Sequence, residues 1–394
     1  MSKLAILGGK KEIAQANPDL FTWPIVTQAH RDAVLKVIDK GNMSGIDVTT
    51  EFETRFAQDF ERKYALMSNN GTSSIHGAFF GLGIGQGDEV ICPSITFWAS
   101  VLQVYSLQAT PVFADIHPET LCIDPVDFER CISERTKAVV VVHYAGHAAD
   151  MDAIMSIARK HDIKVLEDCS HAHRCYYKGK QVGTFGDVSG YSLMSLKSFP
   201  VGEAGILTTD DQEIYERAIL FGHYARHGNM ALDETKKYAG LPCGGYKYRP
   251  QQCSSAFGLV QLDCYKEQFS EIDKAMTYFC DLIDELPGIK SHRPPHGEGY
   301  SKGGWYLPLA HYKSEELGGL SNVRFVEAVS AEGVVCRSGC NKPLHGHPVF
   351  HEMDIYHQGK PTRMANLPDG LTVEQIQKPL KVANEINTRI LELP

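Results

Sequence analysis

The sequence predicts an α/β fold in which a large, mostly parallel sheet carries helices on both faces and a smaller C-terminal α/β domain follows. Short apolar runs alternate with amphipathic stretches from about residue 60 to 210, as expected for successive β-α-β units. This alternation loosens after about residue 255. The length of 394 residues is enough for two domains. We therefore predict a large domain, with an N-terminal segment, at residues 1–255 and a small domain at 256–394.

The alternating region predicts the elements of the sheet in order. Strands are predicted at residues 65–68, 89–92, 111–114, 138–143 and 164–167, and helices at 73–82, 98–107, 125–132 and 151–161. In "DMDAIMSIARKHDIKVLED", for example, Met151, Ile154 and Ala158 share one helical face, and a buried strand ending in two acids follows. Two more strands are predicted in "DVSGYSLMSL" and "AGILTTDD", and a helix in "DQEIYERAILFG".

The remaining third of the chain has longer helical patterns. The stretch "CSSAFGLVQLDCYKEQFSEIDKAMTYFCDLIDEL" predicts one or two long helices, and "TVEQIQKPLKVANEINTRIL" predicts a closing helix. Residues 226–248, which are rich in Gly, Lys and Tyr, predict a long loop, and long ordered loops are often functional.

Composition excludes several classes of protein. The formal charge of −9 and the absence of a basic stripe argue against nucleic acid or an anionic membrane as the main partner. The longest plain apolar run, "AVVVV", is far too short to cross a bilayer. The 11 scattered cysteines contain no CxxC pair, so we expect reduced thiols and a cytoplasmic protein. The 17 histidines lie mostly singly, and we expect no metal site.

Four features follow predicted strands, at the sheet edge where such folds bind ligands. The helix start "NNGTSS" is suited to a phosphate, although an N-cap is the commoner role. Phe97 could stack on a flat ring or pack in the core. Asp168 could cap a helix, form an ion pair, or face a protonated ring nitrogen. Lys197 is either solvated or an amine of lowered pKa that condenses with an aldehyde.

Together the four features suit a single ligand, pyridoxal 5′-phosphate. Its phosphate needs the helix start, its ring face needs an aromatic side chain, its pyridine nitrogen needs an acid, and its aldehyde needs a lysine. Each feature alone has a structural explanation that is at least as common. Their joint occurrence, in this order along a parallel α/β chain, favours the cofactor.

The chain also resembles the DegT/DnrJ/EryC1/StrS family of sugar aminotransferases, from about residue 45 to 376. The motifs that carry the resemblance include "NNGTSSIHGAFFGLGIGQGDEVICPSITFWAS", "VLEDCSHAHRCYYKGKQVGTFGDVSGYS", "SLKSFPVGEAGILTTDD" and "KPLHGHPVF". The resemblance implies an aspartate-aminotransferase-like fold, that of fold type I pyridoxal phosphate enzymes. It also implies a homodimer with shared active sites.

The resemblance assigns cofactor-binding roles residue by residue. Lys197 matches the catalytic lysine that forms a Schiff base with the cofactor aldehyde, and Asp168 matches the carboxylate opposite the pyridine nitrogen. Ser192 matches a hydroxyl that helps to hold the phosphate. Phe97 matches the aromatic that stacks on the ring, and Trp98 beside it is expected to pack inside.

Further assignments concern the phosphate turn and two positions where the chain departs from the family. Thr72 and Ser73 match the strand-to-helix phosphate turn. His171 stands where the family commonly has Gln near the ring hydroxyl, and it can still donate a hydrogen bond. Lys247 stands where many members have an Asn that reaches the neighbouring subunit's phosphate, and a lysine could serve there as a point charge.

The substrate side is less specific in the sequence. Arg226 and His227 resemble the "Arg-His-Gly" stretch that borders the active site, and Glu203 has a substrate-side or a structural role. His345 and His347 are candidates for contacts with the acceptor, alongside the segments "HYARHGNMALDETKKYAG" and "KPLHGHPVFHEMDIYHQGK".

The implied activity is transfer of an amino group from glutamate or glutamine to a keto sugar, usually nucleotide-linked, or to a cyclitol of the inosose type. The cofactor would become pyridoxamine phosphate in the first half-reaction. Alternatives are a sugar dehydratase, in which the lysine position is often His, and a non-catalytic pyridoxal phosphate-binding regulator. A Rossmann dehydrogenase is a further alternative, but no GxGxxG motif follows the first strand.

Overall fold

A computed structural model describes residues 3–15, 22–295, 297, 299–350 and 379–394 of the chain. At its centre is a seven-stranded sheet. The first nine strands in chain order are β1 (Tyr64–Ser68), β2 (Glu89–Pro93), β3 (Thr110–Ala114), β4 (Thr136–Val142), β5 (Lys164–Asp168), β6 (Tyr176–Tyr177), β7 (Lys180–Gln181), β8 (Val188–Ser192) and β9 (Gly205–Thr209). Strands β6 and β7 form a separate small hairpin.

The large sheet has the order β1-β9-β8-β5-β4-β2-β3. Strand β9 runs antiparallel to both of its neighbours, and the other pairs in the sheet are parallel. Strands β4 and β5 are buried over nearly their whole length, as expected for a sheet covered on both faces. The predicted large, mostly parallel sheet is therefore confirmed.

Helices connect and flank these strands. They are α1 (Gln28–Asp39), α2 (Asp47–Asp59), α3 (Gly71–Gly81), α4 (Pro125–Arg130), α5 (Met151–Lys160), α6 (Gln212–Gly222), α7 (Asp233–Lys236), α8 (Gln252–Asp284), α9 (Asn322–Ala331) and α10 (Lys381–Glu385). The Asn70 side chain caps α3 by accepting a hydrogen bond from the Ser73 N–H. Within the described ranges, no helix combines the length and apolarity needed to span a membrane.

A second, antiparallel sheet forms towards the end of the chain. It contains β10 (Ile289–Ser291), β11 (Leu309–Tyr312), β12 (Arg337–Ser338) and β13 (Ile390–Glu392), in the order β10-β11-β13-β12. The 33-residue helix α8 contacts α1 and α2 as well as β10. The predicted domain boundary after residue 255 lies in the first turn of this helix, and the division into two domains stays a prediction.

Two predicted helices were wrong in form. The segment predicted as a helix at 98–107 forms two short 3₁₀ helices, Trp98–Ser100 and Leu102–Leu107, because Val101 between them has non-helical backbone angles. Of the predicted closing helix, residues 372–378 lie outside the described residues. The described part has only the short α10 and then β13, whose Ile390 and Leu391 are fully buried in the second sheet. Tertiary packing here overrides the helical pattern.

An aromatic cluster anchors the loop between β8 and β9. Phe199 in this loop is fully buried and packs edge-on against Phe56 of α2, with ring centroids 5.9 Å apart. It also contacts Tyr265 of α8 with a centroid distance of 4.9 Å. Aromatic contacts of this geometry are favourable beyond the area that they bury. The loop that carries Lys197 is therefore held on the core two residues beyond the lysine.

A buried ion pair ties α2 to the segment after α6. Arg226 Nη1 donates to Glu53 Oε2 at 2.5 Å, and both side chains are about 5% exposed. The other Glu53 oxygen accepts the backbone N–H of Met67 in β1 at 2.6 Å. Because each charged group needs the other in this buried setting, removal of one would leave the other unpaired.

We predict that Arg226→Met lowers the free energy of unfolding by about 3–5 kcal/mol, because Glu53 would remain buried without its partner. Arg55→Met is the matched control, since the Arg55–Asp263 pair is largely exposed and should contribute no more than about 1 kcal/mol. Urea unfolding of both variants measures the difference. Equal stability of the two variants would show that the buried pair is not needed for the fold.

Candidate active site

A cavity of about 570 Å³ opens at the carboxyl edge of the large sheet. Its lining includes Val142, Asp168 and Ser192, which are the last residues of β4, β5 and β8. Parallel strands bring their carboxyl ends to the same edge, where α/β folds bind ligands. The rest of the described lining comes from the start of α3, from the segments that follow β2 and β5, from the β8–β9 loop, and from the second sheet with the residues that flank it.

Lys197 enters this cavity from the β8–β9 loop and is 8% exposed. Its backbone is fixed, because its N–H donates to the Met194 carbonyl at 2.8 Å and its carbonyl accepts the Trp23 indole N–H at 3.0 Å. Burial lowers the pKa of Lys197 to about 8, although the nearby Asp168 carboxylate opposes the shift. At pH 7 about a tenth of such an amine is uncharged, far more than of a solvated lysine, and the uncharged form is the nucleophile.

The two acids that end β5 have different environments because successive strand residues point to opposite faces. Glu167 is fully buried and accepts backbone N–H groups of Gly183, Phe185 and Gly186 at 2.7–2.8 Å. Burial alone would raise the pKa of Glu167, but hydrogen bonds from His143 and these N–H groups lower it. Glu167 thus holds a turn, and Asp168 lines the cavity.

Two hydrogen-bond donors hold the Asp168 carboxylate in place. Its Oδ2 accepts the Ser100 hydroxyl at 2.7 Å, and its Oδ1 accepts the Ser170 N–H at 3.0 Å. The Ser100 hydroxyl also contacts that of Thr96 at 2.7 Å. These contacts orient a buried carboxylate towards the cavity, where it can accept a hydrogen bond from a protonated ring nitrogen.

The start of α3 forms an anion cradle next to Ser192. Gly71 and Thr72 line the cavity, and the first backbone N–H groups of a helix have no partner within the helix. A Cβ at Gly71 would lie only 2.8 Å from the Ser192 Cβ, so the helix start and Ser192 approach closely because residue 71 has no side chain. Ser73 lies in the first turn, outside the described lining, with its N–H bonded to Asn70.

His171 and Phe97 also line the cavity. Burial and the neighbouring Lys197 hold the pKa of His171 well below its usual value, so the ring is neutral. Its Nδ1 accepts the Ala145 N–H at 3.3 Å, which leaves Nε2 as the protonated nitrogen. Phe97 is 50% exposed and Trp98 is 43% exposed, with ring centroids 4.9 Å apart. The expectation that Trp98 packs inside was wrong, because its side chain lies on the outer side of the 3₁₀ turn, whose other residues Ala99 and Ser100 are the buried ones.

Besides Ser73, five predicted residues lie outside the described lining of the cavity. Arg226 is in the ion pair with Glu53, and His227 Nδ1 accepts the Gly240 N–H at 3.0 Å. Lys247 is exposed. His345 Nδ1 contacts the Ser94 hydroxyl at 2.6 Å, and the exposed His347 accepts the Val349 N–H at 3.2 Å. Their cofactor or substrate roles stay predictions, and residues 351–360 of the proposed acceptor segment lie outside the described residues.

Other lining residues were missed by the sequence analysis. Ser100, which holds Asp168, belongs to the same "SITFWAS" stretch as Phe97, and its spacing of four residues from Thr96 was an available signal. Tyr306, Asn341 and Glu392 come from the C-terminal third of the chain. No local pattern marks these three residues, because only the packing of the second sheet brings them to the cavity.

The donor set of the cavity fits pyridoxal 5′-phosphate. The helix start and the hydroxyls of Thr72 and Ser192 can hold a phosphate, and Asp168 can face the ring nitrogen. The Lys197 amine can bond to the aldehyde. These groups can also hold and move a proton, because the cavity contains an amine of lowered pKa close to a fixed carboxylate.

Comparison with known proteins agrees with this geometry. Residues 24–389 match the DegT/DnrJ/EryC1/StrS aminotransferase family. The chain is 36% identical to the GDP-perosamine synthase of Escherichia coli O157:H7 over 84% of its own length and 86% of that protein. It is 31% identical to L-glutamine:2-deoxy-scyllo-inosose aminotransferase of Streptomyces kanamyceticus, covering 89% and 83% of the two chains.

Solved structures show the same fold. The aminotransferase of Psychrobacter cryohalolentis superposes with a TM-score of 0.79 at 27% identity, covering 95% of this chain and 93% of that one. The structure of 3-amino-5-hydroxybenzoic acid synthase gives a TM-score of 0.78 at 25% identity, covering 94% and 92%. The fold type, the aminotransferase activity and the pyridoxal phosphate cofactor implied by the sequence are confirmed. The chain belongs to the DegT/DnrJ/EryC1/StrS aminotransferase family.

Proposed function

We propose that this enzyme transfers an amino group from glutamine or glutamate to the ketone of a sugar or cyclitol, with Lys197 as its catalytic lysine. The observation that carries the proposal is the convergence of three groups on one cavity: the buried Lys197 amine, the fixed Asp168 carboxylate and the N-terminus of α3. Pyridoxal 5′-phosphate supplies an aldehyde that bonds to amines and a ring that withdraws electrons.

Each group of the cavity has a defined task in this proposal. Lys197 Nζ, once free, would take a proton from the Cα of the amino donor and pass it to the carbon of the cofactor's aldehyde group. In the second half-reaction it would move a proton from that carbon to the acceptor carbon that gains the nitrogen. Asp168 keeps the ring nitrogen protonated, and the His171 Nε2–H is available as a hydrogen-bond donor at the ring edge. Thr72 and Ser192 hold the phosphate with the first N–H groups of α3.

The acceptor belongs to one of two classes that relatives use. GDP-perosamine synthase and the 2-deoxy-scyllo-inosose aminotransferase, named for a GDP-linked sugar and a cyclitol, resemble this chain at 36% and 31% identity. A panel of nucleotide-linked keto sugars and free inososes, each with glutamine or glutamate as donor, separates the two classes. Transfer to neither class would contradict the proposed substrate.

We further propose a homodimer in which Lys247 of one subunit contributes to the partner's site. Among the described lining residues, Lys197 is the only cation, whereas Asp168, Glu203 and Glu392 are acidic. A bound phosphate would therefore gain from a cation supplied by a second subunit. The exposed Phe97 and Trp98 at the cavity are also suited to an interface.

All 11 cysteines are free thiols, which supports a cytoplasmic location.

We predict that Lys197→Ala abolishes covalent attachment of pyridoxal phosphate. Borohydride reduction followed by peptide mass spectrometry should find the adduct on Lys197 in the parent and in the exposed control Lys180→Ala. The rate of attachment should rise with pH and level off above about 8, because the uncharged amine is the nucleophile. An adduct on another lysine would refute the assignment.

We predict that Gly71→Ala weakens pyridoxal phosphate binding about tenfold, because overpacking at this contact costs roughly 1–3 kcal/mol. The added methyl group would collide with Ser192 and move it from the cradle. Gly85→Ala is the matched control, since a Cβ at Gly85 meets no atom within 4 Å. Equilibrium dialysis measures both affinities, and equal values would exclude a role for this close approach.

The shared site can be tested by mixing two inactive variants. Lys197→Ala and Lys247→Gln subunits should form mixed dimers in which one site has both defects and the other has none. A 1:1 mixture after subunit exchange should recover about a quarter of the parent activity, because half of the dimers are mixed and each has one intact site of two. No recovery despite exchange, verified by native mass spectrometry, would place Lys247 outside the partner's site.

A further inference from the structure

Tyr306 lies directly against the amine of Lys197. Its ring centroid is 3.7 Å from Lys197 Nζ, and the ring also packs on His171 with centroids 4.7 Å apart. Within the described residues, no carboxylate oxygen is within 4.0 Å of Lys197 Nζ. The aromatic face is thus a direct electrostatic partner of this amine.

The backbone just before Tyr306 packs closely against the segments that follow strands β4 and β5 of the large sheet. The Gly303 N–H donates to the Gly146 carbonyl at 2.8 Å. A Cβ at Gly146 would lie 2.2 Å from the Gly303 carbonyl oxygen, and a Cβ at Gly303 would lie 2.7 Å from the Ala172 Cα. Two glycines therefore allow a backbone contact that places the following residues close to Lys197.

The next two residues form an unusual turn. Gly304 and Trp305 both have left-handed backbone angles, with φ of +60° and +52°. This conformation is uncommon for a residue other than glycine, and at Trp305 it is held by burial and by an indole hydrogen bond to Asp273 at 2.9 Å. A Cβ at Gly304 would lie 2.0 Å from the hydroxyl of Ser198, the residue after the lysine.

We propose that Tyr306 is a positioning residue for Lys197: its ring face holds the free amine in the cavity and favours the protonated form. The inference rests on the proposed role of Lys197, which must hold a proton between taking it from one carbon and returning it to another. The negative face of an aromatic ring attracts an ammonium group, most strongly where water is excluded. Tyr306 thereby counteracts the burial that favours the neutral amine.

Other titratable groups near Lys197 act from different elements. Asp168 at the end of β5 favours its protonated form, and His171 and His173 from the following loop oppose it where they carry charge. Both histidine pKa values are lowered by burial, to about 3 for His173, so neither ring is charged at neutral pH. The contribution of the Tyr306 ring can therefore be measured against an otherwise constant surrounding.

The test measures the Lys197 amine itself in the full-length chain, freed of pyridoxal phosphate with hydroxylamine. Labelling with trace acetic anhydride over a pH series, followed by peptide mass spectrometry, reports the apparent pKa of each lysine. We expect Tyr306→Leu to lower the apparent pKa of Lys197 by about 0.5 to 1 unit and Tyr306→Phe to leave it close to the parent value. Tyr300→Leu, a half-buried tyrosine in the same segment that contacts Tyr177, is the matched control and should not shift it.

The proposal would be overturned if the apparent pKa of Lys197 in Tyr306→Leu equalled that of the parent. It would also be overturned if Tyr306→Phe lowered this pKa as much as Tyr306→Leu does, because the effect would then belong to the hydroxyl group. If Tyr306→Leu does not fold, Tyr306→pentafluorophenylalanine keeps the ring shape and weakens its negative face. That variant should lower the apparent pKa relative to Tyr306→Phe, and no difference between them would refute a ring effect. Because the assay contains no pyridoxal phosphate, its outcome is separate from that of the Lys197→Ala test.

Discussion

Desolvation of one lysine is the constraint on which the site depends. The Lys197 amine lies in a cavity where burial lowers its pKa to about 8, and a solvated lysine would be almost wholly charged at neutral pH. Removing an amine from water is unfavourable, so the surrounding structure must hold it there. Backbone hydrogen bonds to Met194 and Trp23 and the buried ring of Phe199 provide that support.

The site around this lysine is built from the carboxyl ends of strands β4, β5 and β8 and the N-terminus of helix α3. Strand alternation at the end of β5 assigns Glu167 to structure and Asp168 to the cavity, although the two are adjacent in sequence. At Gly71, Gly146 and Gly303, the missing side chain permits close approach of backbone segments around the cavity. The geometry of the site therefore depends on these glycines and on the buried Glu167 as well as on the reactive groups.

The charges that line the cavity support the proposed homodimer. The described lining has one cation and three acids, which suits a pyridinium ring and an amine better than it suits a phosphate. The phosphate is left to neutral hydroxyls and helix N–H groups, so a cation from a second subunit is the simplest complement. The exposed aromatic pair Phe97 and Trp98 lies beside the same cavity.

Apolar periodicity and motif spacing are local properties, so the sequence alone was enough to predict the seven strands of the mostly parallel sheet and the residues that follow them. Lys197, Asp168, Thr72 and Ser192 were predicted in this way together with the family resemblance, and all four line one cavity. Tertiary packing alone accounts for the ion pair of Arg226, the outward position of Trp98 and the strand at residues 390–392. It also brought Tyr306 to Lys197, 109 positions away in sequence, through a left-handed turn. Such contacts depend on how distant segments pack, and no local pattern specifies them.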